Sequence, residues 1–187
     1  MATANYNYPA HAKFLHMGIA IFGIASFLTG EFAEDGPATA GYLIHAYLGL
    51  SLASFALVRI VPGLLGAGHF SFSGWSPLSH EQWRKAKDDV LCLLHWKVPE
   101  RGMHEGLAGL TQFFGLVVFM WMGATGTGLF LLDGSWESPL FEVIEEIHEV
   151  GEALIPAYLF LHVGSVAVHS FAGSPIWNRM WSFRRKR

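Results

Sequence analysis

IHEVGEALIPAYLFLHVGSVAVH, residues Ile147 to His169, is the stretch on which the reading of this chain turns. Its middle is apolar enough for a lipid bilayer, yet it holds histidines at 148, 162 and 169. The first two are fourteen residues apart. At helical geometry that is roughly 21 Å of rise and about 1400° of rotation, close to four whole turns. The two imidazoles therefore leave the helix from nearly the same face, one towards each side of a membrane. Ionisable groups inside a bilayer are costly, so they are a functional hypothesis by default.

The rest of the chain supports a membrane setting. Of 187 residues, 52% are hydrophobic and only 14% are charged, against about a quarter charged in soluble domains. A spanning helix needs about 20 mostly apolar residues. Four stretches qualify, over approximately residues 12–31, 40–62, 105–132 and 142–171. The expected fold is all-α, an integral membrane four-helix bundle read as a single domain over 1–187. Helical periodicity is weak within each stretch because most faces are apolar, as in a bundle surrounded by lipid.

The charges give an orientation. All twelve Lys and Arg residues fall in three places. Lys13 precedes the first span. Arg59, Arg84, Lys85, Lys87, Lys97 and Arg101 lie at or between the second and third. Arg179, Arg184, Arg185, Lys186 and Arg187 follow the fourth. The connections 31–40 and 133–152 are acidic and have no basic residue. The positive-inside rule then puts both termini, the 63–103 loop and the 172–187 tail in the cytoplasm. A signal peptide cleaved near ATAG (38–41) is a competing reading of the first span and would remove His16. The apolar run is too long for that, and only Lys13 marks a basic start.

The middle loop opens with GLLGAGHFSFSGWSPLSH, whose Gly, Ser and Pro content suits an irregular segment. HEQWRKAKDDVLCLLHW follows, mixing charges with Trp83, Val90, Leu91, Leu94 and Trp96. It reads either as an amphipathic helix at the cytoplasmic interface or as an ordinary solvated loop helix.

One cysteine, Cys92, allows no intrachain disulfide, no CxxC metal knuckle and no CxxCH haem attachment. With ten histidines, any metal chemistry rests on nitrogen ligands. The first and third spans run outward, the second and fourth inward. His16 and His162 then lie in the cytoplasmic half, His45 and His148 in the outer half. Each depth receives two histidines from two helices. Two opposed neutral imidazoles are what a six-coordinate b-type haem requires, with no site left open for oxygen. The competing reading is that intramembrane histidines only bond helices together. Gly18, Gly23, Gly49, Gly151 and Ala153 would leave room for a flat macrocycle, although glycine also packs helices.

Other residues are open. His169, seven after His162, is a candidate for a propionate or quinone contact, or for the ligand role itself. His104 suits a quinone or relay role as well as it suits a plain interfacial one. His11, His69, His80 and His95 read as surface residues. Propionates need cations, and Arg59, Lys13 and Arg179 are the candidates. Each is equally a positive-inside anchor.

These residues resemble the bacterial cytochrome b561 family, related to the cytochrome b subunits of nickel–iron hydrogenases and formate dehydrogenases. The resemblance spans essentially the whole chain. It rests on the histidines opening the first two spans, on Arg59 fourteen residues after His45, and on the quoted stretch followed by WNRMW (177–181). It implies His16 with His162 on one haem b and His45 with His148 on another, the pairing already reached from depth. It implies a bacterial inner-membrane location and electron transfer between ubiquinone or another quinone and a redox partner. That partner would be a soluble cytochrome c or a dehydrogenase or hydrogenase subunit. An enzymatic alternative is superoxide oxidation with ubiquinone as acceptor. No nucleic acid is expected. AHAKFLHMG (10–18) departs from the family pattern at Lys13 and Met17, which puts the inner propionate contact or quinone pocket in doubt. A haem-free, histidine-rich metal transporter is the remaining class.

Overall fold

The structure, a computed structural model, describes residues 8–33, 36–37, 39–66, 71–72, 77–99, 101–102, 104–174 and 176–181. His69 and the basic residues 184–187 lie outside these. The long helices are α1 (Ala10–Leu28), α2 (Ala40–Leu64), α4 (Gly106–Leu131) and α5 (Pro139–Phe171). All four are long and apolar enough to cross a membrane. Helix α3 (His80–Leu94) occupies the middle loop, and a short α6 (Asn178–Trp181) lies in the tail. Among the described residues there is no strand.

Local chemistry sets the ends. Thr39 caps α2, its side chain accepting from Tyr42 N at 3.2 Å. Ser138 caps α5 in the same way, accepting from Phe141 N at 3.3 Å, and Pro139 sits in the first turn. That Ser-Pro start extends α5 three residues before the expected position 142. Helix α1 stops at Leu28 rather than 31. Thr29 turns its hydroxyl onto the carbonyls of Ala25 and Ser26, and a 3₁₀ turn (Gly30–Ala33) follows.

The bundle packs as α1 on α2, α2 on α4 and α4 on α5. Helix α5 makes at most isolated backbone contacts with α1 and α2. A space is therefore left between α5 and the α1–α2 pair. The core lies along α2 and α4, around Leu52, Ala56, Ile60 and Phe119, and around Val118, Met122 and Ile155. Phe14, Ile21, Leu57, Val61, Phe160 and Val163 are exposed, as lipid-facing residues would be.

Helix α3 docks with its polar side inward. Asp89, 2% exposed, accepts from Arg101 Nε at 2.6 Å and from Leu107 N at 3.0 Å. Gln82, equally buried, donates to the carbonyl oxygens of His104 and Gly106 and accepts from Gly106 N. Gly106 has φ +60°, and the Asp89 carboxylate fills the space a Cβ would need. These bonds clasp α3 to the start of α4 and satisfy amides that a helix N-terminus leaves open. Trp83, Val90, Leu91, Leu94 and Trp96 face outward.

Candidate metal centres

Two histidine pairs bridge the space between α5 and its neighbours. At the basic end of the bundle, His16 of α1 faces His162 of α5, with ring centroids 6.1 Å apart and planes at 43°. At the acidic end, His45 of α2 faces His148 of α5, at 6.3 Å and 86°. The same-face ladder on α5 is thus met rung by rung from two other helices.

The acidic-end pair is oriented by hydrogen bonds. His45 Nδ1 lies 3.0 Å from the Ser26 carbonyl, which only accepts. Nδ1 therefore carries the hydrogen, and Nε2 keeps its lone pair. Thr125 gives its own hydrogen to the Trp121 carbonyl at 2.9 Å, leaving its oxygen to accept from His148 Nδ1 at 2.7 Å. His148 is fixed in the same tautomer. A Cβ on Gly126 would stand 3.2 Å from His148 Cε1, so the missing side chain seats the ring.

Aromatic rings orient the basic-end pair. Tyr158, one turn before His162 on α5, stacks on it at 5.5 Å and 20°. Trp181 of α6 meets His16 edge-on at 6.3 Å. His16 Nδ1 is buried without a hydrogen-bond partner among the described residues.

A cavity of about 500 Å³ holds the acidic-end pair. Gly49, Gly123 and Gly126 line it, with Glu31, Glu137, Glu142, Glu145, Glu149 and Glu152. No Lys or Arg does. Gly49 therefore leaves room as expected. Gly18 and Gly151 do not: Phe55, and Met122 with Trp121, fill their spaces, while a Cβ at Gly23 would meet Leu52 and Phe119 only at ordinary contact. Gly18 and Gly151 pack helices.

The remaining candidates are placed as follows. His162, not His169, is brought to His16. The ring nitrogens of His169 lie 3.2 Å from the carbonyls of Ser165 and Pro99, which tie the end of α5 to the middle loop. Lys13, one turn before His16, is 2% exposed. Arg59 sits over the Phe72 ring at 5.3 Å. Arg179 lies in α6. His104 bonds Gln112, and burial holds it below the ordinary histidine range, reinforced by the charge of Arg59 and opposed by the Gln112 bond. His11, His80 and His95 are exposed, as expected.

A family model, prokaryotic cytochrome b561, matches residues 7–183. The chain belongs to this family. It is a multi-pass bacterial membrane protein, a b-type cytochrome of electron transfer, and membership implies haem b. No curated protein and no solved structure matches it.

The side chains of this cytochrome b561 can be tested against that cofactor. Metal–imidazole bonds are about 2 Å, and a ring centre lies about 1 Å behind its nitrogen, so imidazoles on opposite sides of one metal have centroids about 6 Å apart. Both pairs meet that spacing. Among the described residues, no group of three or more His, Cys, Asp or Glu could hold a bare ion. Two axial imidazoles suffice when a porphyrin brings the other four nitrogens. The residues fit haem.

Sequence reasoning missed Tyr158, Trp181, Thr125 and Gly126. Threonine and glycine one residue apart, at the depth of His148 in the adjacent span, were the available signal for the last two.

Proposed function

We propose that this chain is a di-haem cytochrome carrying single electrons across the bilayer between a quinone pool and a redox partner. One observation carries the reading: two histidine pairs at two depths, each with the ring spacing of a bis-imidazole iron, 6.1 and 6.3 Å. His16 and His162 are assigned to an inner haem b, His45 and His148 to an outer one. Bound there, the haems supply reversible one-electron chemistry at iron with no open position for oxygen.

The chain does the rest. Ser26 and Thr125 hold the outer imidazoles with Nε2 unprotonated. Tyr158 stacks on His162 and Trp181 meets His16 edge-on, holding the inner pair. Lys13 and Arg59 are the cations assigned to the inner propionates. By helix rise the two depths are about 20 Å apart.

We assign the basic end to the cytoplasm and quinone exchange to that end, where His104 and His169 sit. The acidic face is then outermost. Glu31, Asp133 and the glutamates of α5 carry it, with no Lys or Arg between residues 14 and 58 or 102 and 178. That field attracts a cationic soluble redox protein, such as a basic cytochrome c, and repels an anion such as superoxide. Superoxide oxidation is the second reading, and service as a membrane subunit of a dehydrogenase or hydrogenase the third.

The test is a reduced-minus-oxidised spectrum of purified protein with pyridine haemochrome quantitation. Two b haems per chain are expected. None would sink the reading. Stopped-flow reduction by superoxide, compared with a basic cytochrome c, separates the relay from the oxidase.

A further inference from the structure

The outer cavity sets an electrostatic problem that the inner end does not share. Haem carries two propionates. The outer cavity wall offers six glutamates and no Lys or Arg. Every basic residue of the chain lies at or beyond the opposite ends of the spans. An anionic cofactor edge there must be met by neutral donors.

Three of the neutral donors on this wall are already committed. Thr127 Oγ1 donates to the Gly123 carbonyl at 2.6 Å. His45 and His148 use their Nδ1 hydrogens on Ser26 and Thr125. Tyr42 differs. It lines the cavity and is 8% exposed, and its hydroxyl is buried with no hydrogen-bond partner among the described residues. A buried hydroxyl left unmet is costly. Tyr42 precedes His45 by three residues on α2, so the two share a side of the helix. Tyr42 is one turn nearer the acidic surface, where an ionised group is least penalised.

We propose that the Tyr42 hydroxyl donates a hydrogen bond to a propionate of the outer haem, in place of the basic side chain that the wall lacks. The assignment rests on the di-haem reading above. Tyr42→Phe keeps the buried ring and removes only the donor.

The experiment compares full-length wild type, Tyr42→Phe and Tyr47→Phe in lipid nanodiscs. Tyr47 is on the same helix and 59% exposed. Haem content, the rate of haem transfer to apomyoglobin and the two midpoint potentials are measured, with His148→Ala identifying the outer signals. All three proteins should begin with two haems. In Tyr42→Phe the outer haem should leave about tenfold faster or more, the scale of one hydrogen bond to a charged group. The outer midpoint potential should also fall, because a less dispersed propionate charge favours ferric iron. The inner haem and Tyr47→Phe should match wild type. Outer loss at the wild-type rate with an unmoved potential would overturn the role of Tyr42 and leave the di-haem reading standing. A wild type with no haem dependent on His148 would overturn both.

Discussion

The two histidine pairs have nearly equal ring separations and opposite surroundings. The outer pair is steered through its second nitrogens, by Ser26 and Thr125. The inner pair is steered through its ring faces and edges, by Tyr158 and Trp181, and His16 Nδ1 has no hydrogen-bond partner among the described residues. A hydrogen bond fixes both tautomer and basicity of a ligand. An aromatic wall fixes orientation alone. The outer imidazoles should therefore be the more electron-rich ligands. The surroundings differ in charge as well: carboxylates ring the outer cavity, while Lys13 is buried beside the inner pair.

The largest effect expected is loss of a whole cofactor. His148→Ala should remove one haem and leave the other, and His162→Ala should remove the complementary one, read by haemochrome quantitation and low-temperature α-bands. Two variants that erased the same band would break the comparison. Next is the clasp at the inner end. Asp89→Ala removes the closest partner of Arg101 and leaves the Leu107 amide unmet, a loss of about 1–3 kcal/mol. Thermal unfolding should shift while the outer spectrum stays in place.

Thr125→Val tests the outer steering directly. It keeps the shape of the side chain and removes the acceptor for His148 Nδ1. Outer haem affinity should fall about 10- to 100-fold, with the inner haem unchanged. Equal weakening of both would show that the two ends are not independently held.

The smallest effect is acid loosening of the clasp. Lys85, hydrogen-bonded to Glu105, holds that carboxyl below the usual carboxylate range. Its stabilisation is present above the unfolded value and lost as pH falls through the folded one, below about pH 4. Glu105 is more than a third exposed, so the contribution is screened and small. Amide exchange in α3 should rise there before any change at the outer pair.

Much of this was legible in the sequence because it follows from helix geometry. Hydropathy gave four spans. Fourteen-residue spacing set His148 and His162 on one face, and depth supplied their partners. What was hidden depends on partners distant in the chain. Asp89 and Gln82 sit in a charged run and read as solvated, yet partners 12 to 24 residues further on bury them. Trp181 comes back from the tail to a residue near the other terminus. Tyr158 is one aromatic among many in greasy helices, and nothing local marks it as the one that stacks. Gly18 and Gly151 misled for the same reason: the space beside a glycine belongs to whichever neighbour reaches it.

Helix α5 runs unbroken from Pro139 to Phe171 and carries one member of each pair. It is the ruler of the molecule. A single residue added between 149 and 161 would rotate one imidazole by about 100° against the other and misalign a pair. Seven added residues, two turns, would restore the angle to within about 20° but lengthen the gap by about 10 Å. Angular register tolerates that change; under the di-haem proposal, electron tunnelling between the two depths would not. On that proposal the interval from 148 to 162 is constrained twice over, in phase and in length.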